Sequence, residues 1–214
     1  SGGVVTTQSA ATPPRSTVNP IDFSSATEQF KDIAAGLSLV DATGRVEREY
    51  SANKLIGSGK GGVDVFNVSA DFLNGGNNWV LSGLTANQTL IFNISGKHGG
   101  FTGGMQPLSG YNVLFNFYEA ETVDVKGILG SVLAPYATVV PGNGVIKGQV
   151  IADAWNSSVQ VDAENYWKAV DVPGFELVTD DPPVEPPAEV PEPGTLMLMM
   201  AGLLGGIALR RRRA

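Results

Sequence analysis

The chain of 214 residues contains no cysteine, which excludes a disulfide framework, a thiolate metal site and a cysteine nucleophile. It holds one histidine, His98, so no cluster of imidazole ligands can form. Cations are scarce: 14 Lys and Arg stand against 21 Asp and Glu, a formal charge of −7. Four of those cations, Arg210, Arg211, Arg212 and Arg213, sit together at the end, leaving ten against 21 in the rest. Such a body repels nucleic-acid phosphates and anionic lipid, and neither is expected as a partner. The 27 glycines build no phosphate loop, because neither the stretch 57–62 nor 99–104 leads into a helix with the required Lys-Ser/Thr. They read as turns. No Asp-rich loop has the spacing of a dedicated calcium site, and no cofactor or metal is expected.

What is present separates by composition. Residues 1–19 are small, polar and proline-interrupted, as in a linker or the edge of an upstream coil. The opening Ser1-Gly2-Gly3-Val4 has no basic or apolar leader region, so an export signal is expected to precede it. A β domain is expected over 20–178, with one helix at about 25–38. There Ser25-Ala26-Thr27-Glu28 has capping-box spacing and Phe30, Ile33, Ala34 and Leu37 form one apolar face. Short runs of Val, Ile, Phe and Thr broken by Gly and Asn then read as strands and turns from Val46 to Leu177. Residues 179–193 are an acidic, proline-stiffened tether, 194–209 an uncharged apolar helix, and 210–214 a basic tail.

Two internal echoes carry the fold expectation. Val65-Phe66-Asn67-Val68, Ile91-Phe92-Asn93-Ile94 and Leu114-Phe115-Asn116-Phe117 repeat one pattern with their Asn 26 and 23 residues apart. Gly130-Ser131-Val132-Leu133-Ala134 and Gly148-Gln149-Val150-Ile151-Ala152 repeat another at a separation of 18. Periods of about 20 to 50 residues arise when β-coils stack. The expectation is a β-solenoid or right-handed β-helix with a flanking helix, Phe66, Phe92 and Phe115 in one core row, and Asn67, Asn93 and Asn116 as an amide ladder at a corner. An antiparallel β-sandwich is the alternative.

Catalytic chemistry is sparsely supported. His98 lies among glycines, as at an exposed loop tip, whereas a catalytic base needs an orienting partner. The pairs Asp162 with Glu164 and Glu119 with Glu121 would each share one face of a strand, which keeps polysaccharide cleavage open as a second reading. No catalytic residue is assigned. Trp79, Trp155 and Trp167, with Tyr166, stand beside amides in polar segments, a combination that suits sugar stacking as well as core packing. The three tryptophans are the candidate ligand-binding residues. Ice binding is not expected, since no regular Thr-x-Thr array is present.

The end of the chain is the most specific signal. Pro191-Glu192-Pro193, the apolar run to Leu209 and Arg210 to Arg213 follow in fixed order. The 15 residues from Thr195 to Leu209 would span about 22 Å at roughly 1.5 Å per residue, short of a hydrocarbon core of about 30 Å. This order resembles the PEP-CTERM sorting signal of Gram-negative bacteria. The resemblance implies that Pro191, Glu192 and Pro193 are read by a membrane-embedded exosortase, that the helix holds them at the membrane, and that Arg210 to Arg213 stay on the cytoplasmic side. An ordinary tail anchor is the alternative. The repeats above, with Ile21-Asp22-Phe23 and Ala134-Pro135, are similar to the choice-of-anchor A domain of bacterial surface proteins over roughly Ile21 to Leu177. That resemblance implies an adhesin-like, non-enzymatic surface protein, and the sorting signal implies an envelope or extracellular-matrix destination, with exopolysaccharide as the expected partner and biofilm as the setting. A purely structural matrix component is the third reading.

Overall fold

The structure is a computed structural model that describes residues 22–100, 105–162 and 164–177. Helix α1 (Phe23–Ser38) opens it and is capped by Asp22, whose carboxylate accepts from the Ser24 and Ser25 amides at 3.1 and 3.2 Å. The Ser25 hydroxyl adds a bond of 2.6 Å, and it holds the Asp22 carboxyl below its ordinary pKa. The helix therefore starts before the expected Ser25-to-Glu28 box. A full negative charge at the positive helix end competes well with a hydroxyl, and Glu28 pairs instead with Lys31 at 2.8 Å.

Strands β1 (Arg45–Glu49), β2 (Ala52–Ile56) and β3 (Val63–Ser69) lead into a short helix, α2 (Ala70–Asn74). Then come β4 (Asn78–Ser82), β5 (Thr89–Ser95), β6 (His98–Gly100), a 3-10 turn at Gln106–Leu108, β7 (Asn112–Asn116), β8 (Thr122–Asp124) and β9 (Ile128–Leu129). The described strands end with β10 (Ser131–Val140), β11 (Val145–Lys147), β12 (Val150–Trp155) and β13 (Gln160–Asp162). The main sheet runs β3-β5-β7-β10-β8-β6, with β12 also on β10, and its pairings are parallel. Two three-stranded sheets flank it, β1-β2-β4 and β13-β11-β9.

The long strand β10 shapes the whole. Ser131 to Leu133 pair with β7, Thr138 to Val140 pair with β8, and the register against β12 shifts between Ala134 and Thr138. Pro135 lies within that break, where a residue without an N–H is tolerated. The bend joins two ladders into one curled parallel sheet, a half-barrel.

This architecture corrects the expected fold class. Parallel pairing throughout the main sheet removes the antiparallel sandwich. Nor do like coils stack into a β-solenoid or right-handed β-helix: the main ladders merge through β10, the flanking sheets stop at three strands, β1 runs antiparallel and α2 follows β3 directly. A sequence period specifies which strands become neighbours; it does not specify how their sheet curls. Among the described residues no helix is long and apolar enough to cross a membrane, and the helix expected at 194–209 lies outside them, as do 1–19, the tether and the basic tail.

The echoes themselves are in register. Phe66, Phe92 and Phe115 align across β3, β5 and β7, with ring centroids 5.2 and 5.1 Å apart. The Gly-x-Val-aliphatic-Ala echo pairs Val132, Leu133 and Ala134 with Val150, Ile151 and Ala152. On the opposite face Val65, Ile91, Leu114 and Leu133 pack under Ala34 and Leu37 of α1. The Asn ladder lies on that face beneath α1, not at a corner. Asn93 donates to Asn67 at 3.1 Å and Asn116 to Asn93 at 3.0 Å, while Asn93 and Asn116 also donate to the Leu37 and Ala34 carbonyls. It thus fastens the C-terminal part of the helix to the sheet.

Candidate ligand-binding face

After β13 the chain turns back as a strap, residues 164–177, across the face that α1 covers. The Trp167 amide donates to the Ser131 hydroxyl at 3.2 Å. Asn112 mimics a peptide group toward Lys168, accepting from its N–H and donating to its carbonyl, each at 2.9 Å. Phe175 and Glu176 lie so close to Gly36 that a Cβ there would collide with the Glu176 carbonyl. The strap is therefore fixed at several points along its length.

Between strap and edge lies a shallow hollow of about 660 Å³, lined by Phe30 of α1, Val150 and Ile151 of β12, Val161 and Asp162 of β13, and Tyr166 and Trp167 of the strap. A second hollow of about 370 Å³ lies along the strap, lined by Asn87, Tyr111, Asn112, Asn165, Tyr166 and Lys168 among others. Tyr166 lines both and is 52% exposed. Rings set among amides and one carboxylate can stack on a sugar face and bond its hydroxyls.

The structure disperses the three candidate tryptophans. Trp79 is 4% exposed and packs edge-on against Phe92 at 5.5 Å, so it belongs to the core and not to a binding face. Its polar neighbours misled because a strand alternates: Asn78 points out where Trp79 points in. Trp155 is 44% exposed on β12, its indole N–H held by the Ser157 carbonyl at 2.6 Å, and it lines neither hollow. Trp167 alone lines a hollow, with part of its ring against the α1 face.

His98 begins β6 instead of capping a loop, and its Nδ1 lies 3.0 Å from the Thr122 hydroxyl. Each of the four suspect acids is engaged: Glu119 accepts from the Gly96 amide, Glu121 pairs with Lys97, Glu164 with Lys147, and Asp162 accepts from Gln160. Among the described residues no group of acidic or histidine side chains could hold a metal. Sequence reasoning missed Phe30, Asn87, Asn112 and Lys168 as site residues. Asn87 and Asn165 adopt left-handed backbone (φ 59° and 49°), which asparagine tolerates in turns, but nothing local shows that the two turns meet.

Residues 1–163 match the family model described as "Putative Ice-binding-like adhesive domain". The chain belongs to that family. Residues 189–213 match the PEP-CTERM protein-sorting motif, which takes in Pro191, Glu192, Pro193 and the four arginines. No curated protein and no solved structure matches the chain. An adhesive-like domain with this motif is the composition of an exported, exosortase-sorted cell-surface protein.

Proposed function

We propose that the protein is a non-enzymatic adhesin that holds polysaccharide in the aromatic hollow beside β12. One observation carries this reading: Phe30, Tyr166 and Trp167 line an open hollow of about 660 Å³ together with Gln149 and Asp162. An open apolar floor with a few polar groups suits the flat, hydroxyl-edged face of a pyranose. Membership of the ice-binding-like adhesive family supports the same reading. In it, exosortase reads Pro191, Glu192 and Pro193, Arg210 to Arg213 stay on the cytoplasmic side, and the domain works at the envelope or in the exopolysaccharide matrix of a Gram-negative bacterium.

The test is saturable binding of the full chain to a panel of bacterial exopolysaccharides. Binding to at least one class is expected, weakened by Trp167→Ala in a protein that still melts cooperatively, and unchanged by Trp155→Ala, which lies outside the hollow. No binding to any polysaccharide would sink the adhesin and leave a structural matrix component. A polysaccharide-acting enzyme is less well supported, because Glu119, Glu121 and Glu164 are each tied to a partner and Asp162 is the one carboxylate among the residues lining the hollow.

A further inference from the structure

The two hollows that share Tyr166 differ in charge. The larger contains Asp162 and no cation; the smaller contains Lys168 and no carboxylate. In a chain of formal charge −7, a hollow whose lining has a lysine and no carboxylate is a local reversal of the prevailing charge. Its floor is already bonded: Asn112 holds the Lys168 backbone and donates to the Thr89 hydroxyl at 3.1 Å. Asn87 and Asn165 stand at left-handed positions on its wall, and Tyr166 offers an exposed ring beside them. An ammonium, two amides and an aromatic plate are the groups that recognise a ring bearing both hydroxyls and a carboxylate.

We propose that the hollow formed by Asn87, Asn112, Asn165, Tyr166 and Lys168 is a subsite for an acidic sugar unit, a uronate, of the bound polysaccharide. This rests on the polysaccharide-binding reading above and adds the charge of the ligand. Tyr166 stacks on the ring, Lys168 pairs with its carboxylate, and the two asparagines bond its hydroxyls. Asp162 lines the larger hollow, and its cross-strand partner Lys147 is already engaged by Glu164 at 2.9 Å, so a second carboxylate is disfavoured there and a polymer alternating acidic and neutral units fits the pair better than a pure polyuronate.

The experiment compares full-chain binding to alginate, to an acidic heteropolysaccharide with alternating uronate and neutral sugars, and to a neutral β-glucan, at low and high salt. Saturable binding to the acidic polymers is expected, stronger for the alternating one and weakened by salt. Lys168→Gln should lower that affinity about fivefold, the value of one partly exposed ion pair, and abolish most of the salt dependence. The main-chain bonds from Asn112 to residue 168 persist in that variant, so its fold is retained. Tyr166→Ala should lose tenfold or more through the missing stack, and Tyr166→Phe should bind like the parent. Acidic-polymer binding untouched by Lys168→Gln and Tyr166→Ala would overturn the subsite while leaving the adhesin standing. Binding to the neutral glucan alone would overturn the acidic specificity in the same way, whereas no binding to any of the three would remove the subsite together with the adhesin reading.

Discussion

The borders of the curled sheet are built to opposite plans. At β3 the Val65 carbonyl accepts from the Thr43 and Gly44 amides at 3.0 and 3.1 Å, and the Val65 amide donates to the Thr43 hydroxyl at 2.9 Å. Asp64 beside it gathers the Thr43 hydroxyl, the Ser58 amide and the Gln88 amide group at 2.8, 3.0 and 2.6 Å. Helix α2 packs on β6, and Arg48 and Asn53 satisfy its Phe72 and Leu73 carbonyls. At β12 of the curled sheet and β13 of the flanking sheet, by contrast, no strand covers the outer side among the described residues, and Val161 and Trp155 are each 44% exposed. The difference teaches where tolerance lies. A sealed border fixes its polar groups in a buried network that must be complete, while the open border leaves backbone and rings free for a ligand.

Matched substitutions sharpen this contrast most. Trp79→Ala removes a buried indole that meets Phe92, and about 3–5 kcal/mol of stability should go with it. Trp155→Ala at the open border should cost no more than about 1 kcal/mol, the range of a half-exposed contact. Chemical denaturation of both variants checks the pair; equal losses would erase the proposed difference between the closed core and the open border.

Next in size is Asp64→Asn. The new amide can keep its oxygen on the Ser58 and Gln88 donors only by turning its NH2 toward the Thr43 hydroxyl, which donates to Asp64 in the parent, at a cost of about 1–3 kcal/mol. The same substitution at Asp162, on the open border, should stay within about 0.5 kcal/mol. Asp64 also predicts a pH response. Burial pushes its pKa up, but the Ser58, Thr43 and Gln88 donors outweigh burial and bring it below the ordinary 3.8. A carboxyl depressed in the folded state contributes stability that is complete above its ordinary value and is lost as pH falls through the folded value. Melting temperature should therefore drop as the pH is lowered below 3.8, and Asp64→Asn should flatten that limb. A variant as acid-sensitive as the parent would show that Asp64 is not the group responsible.

These contrasts also separate what the sequence discloses from what it withholds. The row Phe66, Phe92, Phe115 and the ladder Asn67, Asn93, Asn116 were legible because parallel in-register pairing requires like residues at a near-constant period. The apolar face of α1 was legible from its 3.6-residue spacing. The curl was not, since it depends on one strand, β10, changing partners halfway along. Nor was the ladder's second role, because Asn116 reaches the Ala34 carbonyl across 82 positions of chain. The candidate face was half legible. Tyr166 and Trp167 announced themselves by composition, but Asn87, Asn112 and Lys168 join them only through the return of the strap.

The smallest stability change expected belongs to the residue most exposed to ligand. Tyr166 is 52% exposed and lines both hollows, so Tyr166→Ala removes a ring that is already half in solvent. Its unfolding midpoint should move by no more than about 0.5 kcal/mol in equivalent free energy, less than the Trp79 substitution by several-fold. The main-chain bonds at Trp167 and Lys168 hold the strap independently of that ring. If denaturant titration instead showed a loss near that of Trp79→Ala, Tyr166 would be a packing residue of the strap, and the open border would be sealed after all.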